Sequence, residues 1–195
     1  MKFTKLLIGL LAVILVLVVL FRLTGGKTKI SPLGSKPEIT SVPHTSVIPT
    51  QAPGLMFLAA SKSSLKVGEK VKVTVNLYAE KKSVSGSDAI VKFDPAVLKA
   101  DSTVETGDYF RQYPLKAVDN SKGIARVTAF LPAKEEPMTE MKVLLGITFT
   151  ALKAGDTTVT IEFVPGTTNR SSIVESKTSR NLLGTVKEVR LTINP

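Results

Sequence analysis

The residues able to do chemistry in this chain are few, and their spacing argues against catalysis. His44 is the sole histidine and cysteine is absent. Neither a Ser/His/Asp nor a Cys nucleophile system can be assembled, nor a multi-His or thiolate metal site. Paired carboxylates for glycoside hydrolysis must stand roughly 5 to 9 Å apart in a cleft. Asp94 is explained by the turn ahead of Pro95, and Glu135-Glu136 by an exposed loop. No D-x-[DN]-x-[DN]-G calcium loop is present. Asp119-Asn120-Ser121 reads as turn chemistry, in which such side chains cap their own backbone. Asn169-Arg170-Ser171 fits a glycosylation triplet and is assigned no function. No cofactor is expected, and an enzyme is the least favoured class.

What the chain offers instead is surface. In Gly86–Leu98 polar and apolar residues alternate, turn at Asp94-Pro95 and resume at Val97-Leu98. Period two buries one face and frees the other. With Ala89, Val91 and Phe93 toward a core, Asp88, Ile90 and Lys92 share the opposite face. The same rule applied to the following hairpin places Lys116, Val118, Arg126 and Thr128 outward. One carboxylate, several cations and a few aliphatics can seat a helix by charge pairing around an apolar centre. An ordinary solvated face is the alternative. On the binding reading, Asp88→Ala weakens a partner without lowering the melting temperature. Tyr109-Phe110-Arg111-Gln112-Tyr113 is the densest aromatic cluster. Tyr109 and Tyr113 can stack on a sugar or form a protein hot spot. The plainer reading, which we favour, packs Phe110 under a loop with one tyrosine hydroxyl held by backbone. Tryptophan is absent, which weakens any flat platform for polysaccharide.

The elements that must position these residues are strands. Leu55–Ala60 is the first. A turn at Val67-Gly68-Glu69 precedes Val71, Val73, Val75 and Leu77, which alternate with Lys72, Thr74, Asn76 and Tyr78. Asp88–Phe93, Val97–Ala100, Leu115–Val118, Ile124–Leu131, Val143–Leu152, Thr157–Val164 and Thr185–Ile193 follow. Helix is expected only as a single turn near Pro95–Leu98. Short strands with turn signals every ten residues or so predict an all-β, antiparallel jelly-roll or Ig-like sandwich. About 140 residues suffice for a core without disulfides.

Residues 1–54 are of another kind. A basic start (1–5) precedes the unbroken apolar run Leu6–Phe21, which Arg22 and Leu23 extend. The favoured reading of 6–23 is a transmembrane anchor; a cleaved signal peptide is the alternative, leaving a secreted product. Residues 24–54 carry Pro32, Pro37, Pro43, Pro49 and Pro53 among Ser, Thr and Gly, a semi-extended linker able to reach on the order of 90 Å. Residues 55–195 then form the outward-facing domain, on a single-pass membrane protein. The net charge of +10 divides evenly: +5 on 1–54 and +5 on 55–195, with signs interspersed in the latter. No basic stripe with stacking aromatics is visible, so nucleic acid is not an expected partner.

Across residues 55–195 the chain resembles the cohesin family, on five segments in order. Val67-Gly68-Glu69-Lys70-Val71-Lys72-Val73-Thr74-Val75 is similar to the family's VGDTVTVPV strand pair. Ser87–Leu98 is similar to its CDFVLSYDPNVLEV segment. Gly107-Asp108-Tyr109-Phe110, Gly146–Ala151 and Ala154-Gly155-Asp156-Thr157 match later pieces. The resemblance implies a jelly-roll sandwich whose one sheet face binds a dockerin-like module, with calcium carried by the partner. Asp88 matches an aspartate of that face. The chain departs from the pattern at Ala89, where an aromatic is usual, and in the loop Pro132–Glu140. It implies a non-catalytic receptor at the cell surface, docking a partner such as a polysaccharide-degrading enzyme. A carbohydrate-binding module and a structural Ig-like spacer are the competing classes.

Overall fold

The computed structural model describes residues 53–131 and 136–195. The proposed anchor, nearly all of the linker, and Glu135 lie outside the described residues. Among the described residues no helix is long and apolar enough to cross a membrane. Their regular structure is all strand: β1 (Gly54–Ala60), β2 (Ser64–Lys66), β3 (Lys70–Ala79), β4 (Val84–Lys92), β5 (Leu98–Thr106), β6 (Gln112–Asp119), β7 (Ile124–Phe130), β8 (Lys142–Ala151), β9 (Gly155–Ile161), β10 (Ser172–Glu175), β11 (Leu183–Lys187) and β12 (Val189–Asn194). One sheet runs β11-β1-β3-β8-β5. The other runs β2-β12-β9-β4-β7-β6, with β10 beside β4.

The two-residue alternation decides which side chains enter the space between the sheets. Strand β3 buries Val71, Val73, Val75, Leu77 and Ala79. Strand β8 adds Leu144, Leu145, Ile147 and Phe149, all essentially inaccessible. The opposing inner face is smaller: Ala89 and Val91 from β4, and Ala125, Val127 and Ala129 from β7. Most of the core volume therefore comes from the β3–β8 side. Phe93, just past β4, meets Phe149 edge-on with ring centroids 5.0 Å apart, joining the two layers. Each large apolar side chain so enclosed stabilises the fold by about 1.5–3 kcal/mol.

Several sequence expectations change here. Thr185–Ile193 is one alternating run, yet it breaks at Glu188, so β11 joins one sheet and β12 the other. Both halves keep period two, and nothing local says which sheet each will meet. The short strands β2 and β10 add to those expected. Two pairings, β1 with β11 and β2 with β12, are parallel, so the sandwich is not purely antiparallel. These strands come from opposite ends of the domain, where no hairpin imposes direction. At Asp94–Leu98 there is a turn and no helix. The Asp94 carbonyl accepts from the Val97 and Leu98 N–H groups (3.2 and 2.9 Å), and its Oδ1 accepts from Ala96 N–H (2.9 Å).

Side chains lace the open edge where β5 and β6 face each other across the layers. The Asn120 amide pairs with Ala100 as a strand would, accepting its N–H at 2.8 Å and donating to its carbonyl at 2.9 Å. The Tyr113 hydroxyl lies 3.1 Å from the Gly107 carbonyl and 3.0 Å from that of Leu144. Asn120 thus reaches the other sheet, while Asp119 alone caps its own turn.

Candidate functional site

The outer face of β10-β4-β7-β6 is built from cross-strand rows, because directly opposed residues of antiparallel strands share a side. One row is Ser172, Asp88, Thr128 and Leu115. The next is Ile90, Arg126 and Ala117; the third is Lys92, Ile124 and Asp119. Beyond Asp88 lie Val174, Gly86 and Phe130. At strand spacings of about 4.8 Å and about 7 Å per outward residue, the patch is roughly 15 by 20 Å. A helix, about 10 Å across, lies on such a surface comfortably.

Asp88, Ile90, Lys92, Arg126 and Thr128 all face outward as the alternation predicts, with Ala89, Val91, Ala125 and Val127 beneath them. Lys116 and Val118 do not. Asp119 pairs with Ile124, which sets Lys116 opposite Val127 and Val118 opposite Ala125, on the inward side. Val118 packs against the core, and Lys116 reaches solvent only because β6 is an edge strand. Their places outside are taken by Leu115, 43% exposed, and Ala117. Counting back from the four-residue turn Asn120–Gly123 finds this register. The outward apolar residues Ile124 and Phe130 (37% exposed) were also missed.

Each charge on the face has a distinct situation. Asp88 Oδ1 accepts from the Thr128 hydroxyl at 2.6 Å, and Oδ2 from the Ser172 hydroxyl at 3.1 Å. The carboxylate therefore ties β7 and β10 to β4. This alters the expectation for Asp88→Ala: the variant should lose roughly 1–3 kcal/mol with its two hydrogen bonds, visible as a lower melting temperature, alongside any loss of partner. An unchanged melting curve would show that the two hydroxyls find other partners. Lys92 pairs with Glu162 at 3.1 Å, and the second oxygen of Glu162 holds Arg170 at 2.9 Å. Ser171, read from sequence only as part of a glycosylation triplet, is fully buried. Its hydroxyl accepts the Ile90 N–H at 3.0 Å, where β9 has ended and β10 begins.

Asp119 closes the β6–β7 turn. Its Oδ1 accepts from the Ser121 hydroxyl (2.6 Å) and from the Ser121 and Lys122 N–H groups (3.0 and 3.1 Å), and Lys122 Nζ stands 3.0 Å from Oδ2. These donors, Ser121 foremost and the Lys122 side chain next, hold its carboxyl down at about 2. A carboxyl lowered from 3.8 stabilises the fold above that pH, and the contribution disappears as pH falls toward about 2. Glu69 and Glu175 are lowered too, by hydrogen bonds from the Lys66 backbone and from Thr178 respectively. Asp119→Asn should therefore flatten, without abolishing, the fall in urea-denaturation stability between about pH 4 and 2. A profile parallel to the parent's would remove Asp119 from the acid response.

The aromatic cluster sits elsewhere. Phe110 is buried, and Tyr109 stands edge-on to it at 4.9 Å with Lys142 Nζ 5.9 Å from the Tyr109 ring centre. Both tyrosines are half-buried, and burial pushes their phenols above the usual range. The Tyr113 hydroxyl is engaged by backbone carbonyls, as the plainer reading expected. Among the described residues no group of three or more His, Cys, Asp or Glu is arranged to hold a metal ion.

A family model described as the cohesin domain matches residues 56–186. The chain belongs to the cohesin family. Solved cohesins share its fold at low sequence identity. The second type II cohesin module of the adaptor ScaA scaffoldin from Acetivibrio cellulolyticus is 20% identical, with a TM-score of 0.58 over 73% of this chain and 91% of that one. The third cohesin of ScaC from the same organism, solved in complex with the ScaB dockerin, is 14% identical (TM-score 0.59; 73% and 99% covered). A non-cellulosomal cohesin from the archaeon Archaeoglobus fulgidus is 14% identical (TM-score 0.55; 74% and 93% covered). No curated protein matches the sequence.

Proposed function

We propose that this cohesin domain is a non-catalytic docking module that seats a dockerin-like protein module on the outer face of β10-β4-β7-β6. One observation carries the reading. Ile90, Ala117, Ile124, Leu115 and Phe130 lie in adjacent cross-strand rows, all outside the core, with polar residues interleaved and around them. An apolar centre with a polar surround is the anatomy of a protein interface. The solved ScaC cohesin bound to a dockerin supports the choice of partner class. The binding set becomes Asp88, Ile90, Lys92, Arg126 and Thr128, with Leu115 and Ala117 in place of Lys116 and Val118. The apolar run 6–23 would hold the module at the cell membrane and the linker 24–54 would extend it outward, to receive a partner such as a polysaccharide-degrading enzyme.

The test is biolayer interferometry of the full-length chain in mild detergent against a panel of dockerin modules, with calcium and with EDTA. Binding to at least one dockerin is expected, lost in EDTA because the partner carries the calcium. Ile90→Asp should weaken it about 30-fold or more, as removing a central interface residue can cost about 2 kcal/mol or more, with the domain still folded by circular dichroism. Retention on insoluble polysaccharide with no dockerin bound would overturn the proposal in favour of a glycan module; binding that ignores Ile90→Asp would move the site elsewhere.

A further inference from the structure

The charges on this face are not equally free. Asp88 is satisfied by two hydroxyls, Lys92 and Arg170 share Glu162, and Asp119 is consumed by its own turn and Lys122. Arg126 is the exception: among the described residues its guanidinium has neither an ion pair nor a side-chain hydrogen bond. It is exposed, at the middle of the patch, with Ile90 and Ala117 across the neighbouring strands and Ile124 and Thr128 beside it on β7. Next to it lies a shallow hollow of about 340 Å³, lined by Ala117, Val118, Asp119, Lys122, Ile124 and Arg126.

Resting on the docking reading above, we propose that Arg126 sets partner specificity, and that the hollow receives an aspartate or glutamate side chain from a helix of the docking protein. The chemistry follows from what is unused. A guanidinium offers five N–H donors in a planar fork that matches a carboxylate with two parallel bonds. The Asp119 carboxylate in the hollow already accepts from Ser121 and Lys122, so its ability to attract a basic residue is reduced. The aliphatic floor of Ala117 and Ile124, with Ile90 alongside, excludes water once a helix covers it, which strengthens a charge-assisted pair. The same closure penalises a helix without an acid, because it would desolvate Arg126 with nothing to pair it. Selection therefore works in both directions: an acidic residue is held, and a neutral or basic one is rejected.

The probe is a phage-displayed two-helix scaffold with six outward positions on one helix randomised, selected on the full-length chain in detergent. Recovered scaffolds are then titrated against the parent and four variants: Arg126→Gln, Arg126→Glu, Lys122→Gln and Ile90→Asp. We expect Asp or Glu to be enriched at one position of the recovered helices. Arg126→Gln should weaken these roughly 30-fold or more, as truncating one partner of a covered charge pair does. Changing the enriched acid to lysine should restore binding to Arg126→Glu but not to the parent. Lys122→Gln should cost less than Arg126→Gln, since Lys122 is already paired. Because Arg126 is exposed and unpaired, its variants should keep the parent melting temperature. Scaffolds that depend on Ile90 yet show no acid enrichment, or ignore Arg126→Gln, would overturn this inference and leave the docking face standing. Scaffolds indifferent to Ile90→Asp, or failure to recover any, would overturn both.

Discussion

Gly107→Ala is expected to destabilise the domain by about 4 kcal/mol and to lower its melting temperature by roughly 12 °C. A Cβ at this position would lie 1.8 Å from the Val143 carbonyl oxygen and 2.7 Å from its carbon. Both are backbone atoms of β8, so no side-chain rotation relieves the overlap and the strand must move. The movement breaks the bond from Gly107 N–H to the Leu144 carbonyl (3.0 Å) and disturbs the two carbonyls that hold the Tyr113 hydroxyl. Overpacking alone typically costs about 1–3 kcal/mol, and lost hydrogen bonds add to it. Tyr113→Phe is the control: it deletes only the hydroxyl and should cost about 1 kcal/mol. If thermal denaturation finds the two variants equal, the close approach at Gly107 is not what orders this end of the sandwich.

The second large effect belongs to Asn120. Its side chain stands in for a missing strand, satisfying both backbone groups of Ala100, a residue 1% exposed. Asn120→Ala leaves a buried N–H and a buried carbonyl without partners, which should cost about 3 kcal/mol. Asn120→Asp should be no better at neutral pH, since one carboxylate oxygen would face the Ala100 carbonyl that the amide now serves. The local readout is amide hydrogen exchange. Ala100 should exchange about 100-fold faster in Asn120→Ala, while Val73 and Ile147 change only as global stability does. Slow exchange at Ala100 in the variant would mean that water or another group replaces the amide.

Both sites bear on the proposed docking face, because they secure the β6 edge on which Leu115 and Ala117 are carried. Their register depends on the turn at Asn120–Gly123. Gly123 has φ +63°, and a Cβ there would lie 2.1 Å from the Phe93 carbonyl oxygen. Phe93 N–H in turn donates to the Gly123 carbonyl at 2.9 Å. The turn that fixes which residues of β6 face outward is thus itself anchored to the end of β4.

Much of the fold was legible because period-two burial is a local property. Val71 to Leu77, Ala89 to Phe93 and Ala125 to Ala129 each declare an inward face without reference to any other strand. That sufficed to place Asp88, Ile90, Lys92, Arg126 and Thr128 outside. It failed in β6, where Leu115-Lys116-Ala117-Val118 lies at a sheet edge. Little of that strand is buried, so its own pattern does not choose a face; the pairing of Asp119 with Ile124 does. It failed too at Glu188, since an alternating run carries no mark of the sheet it will join.

By itself, then, the sequence determined that the domain is a β-sandwich, where its main turns fall, that no catalytic histidine or thiol is available to it, and which residues of β4 and β7 look outward. Only the tertiary structure decided the register of β6, the exchange of sheets between β11 and β12, and the service of Asn120 and Tyr113 as laces between layers. It also decided that Asp88 is occupied while Arg126 has no side-chain partner among the described residues. The reason is physical: burial periodicity is written between neighbours two residues apart. A hydrogen-bond partner, by contrast, is supplied by whatever distant segment closure brings alongside, as Ser172 is for Asp88, 84 residues away.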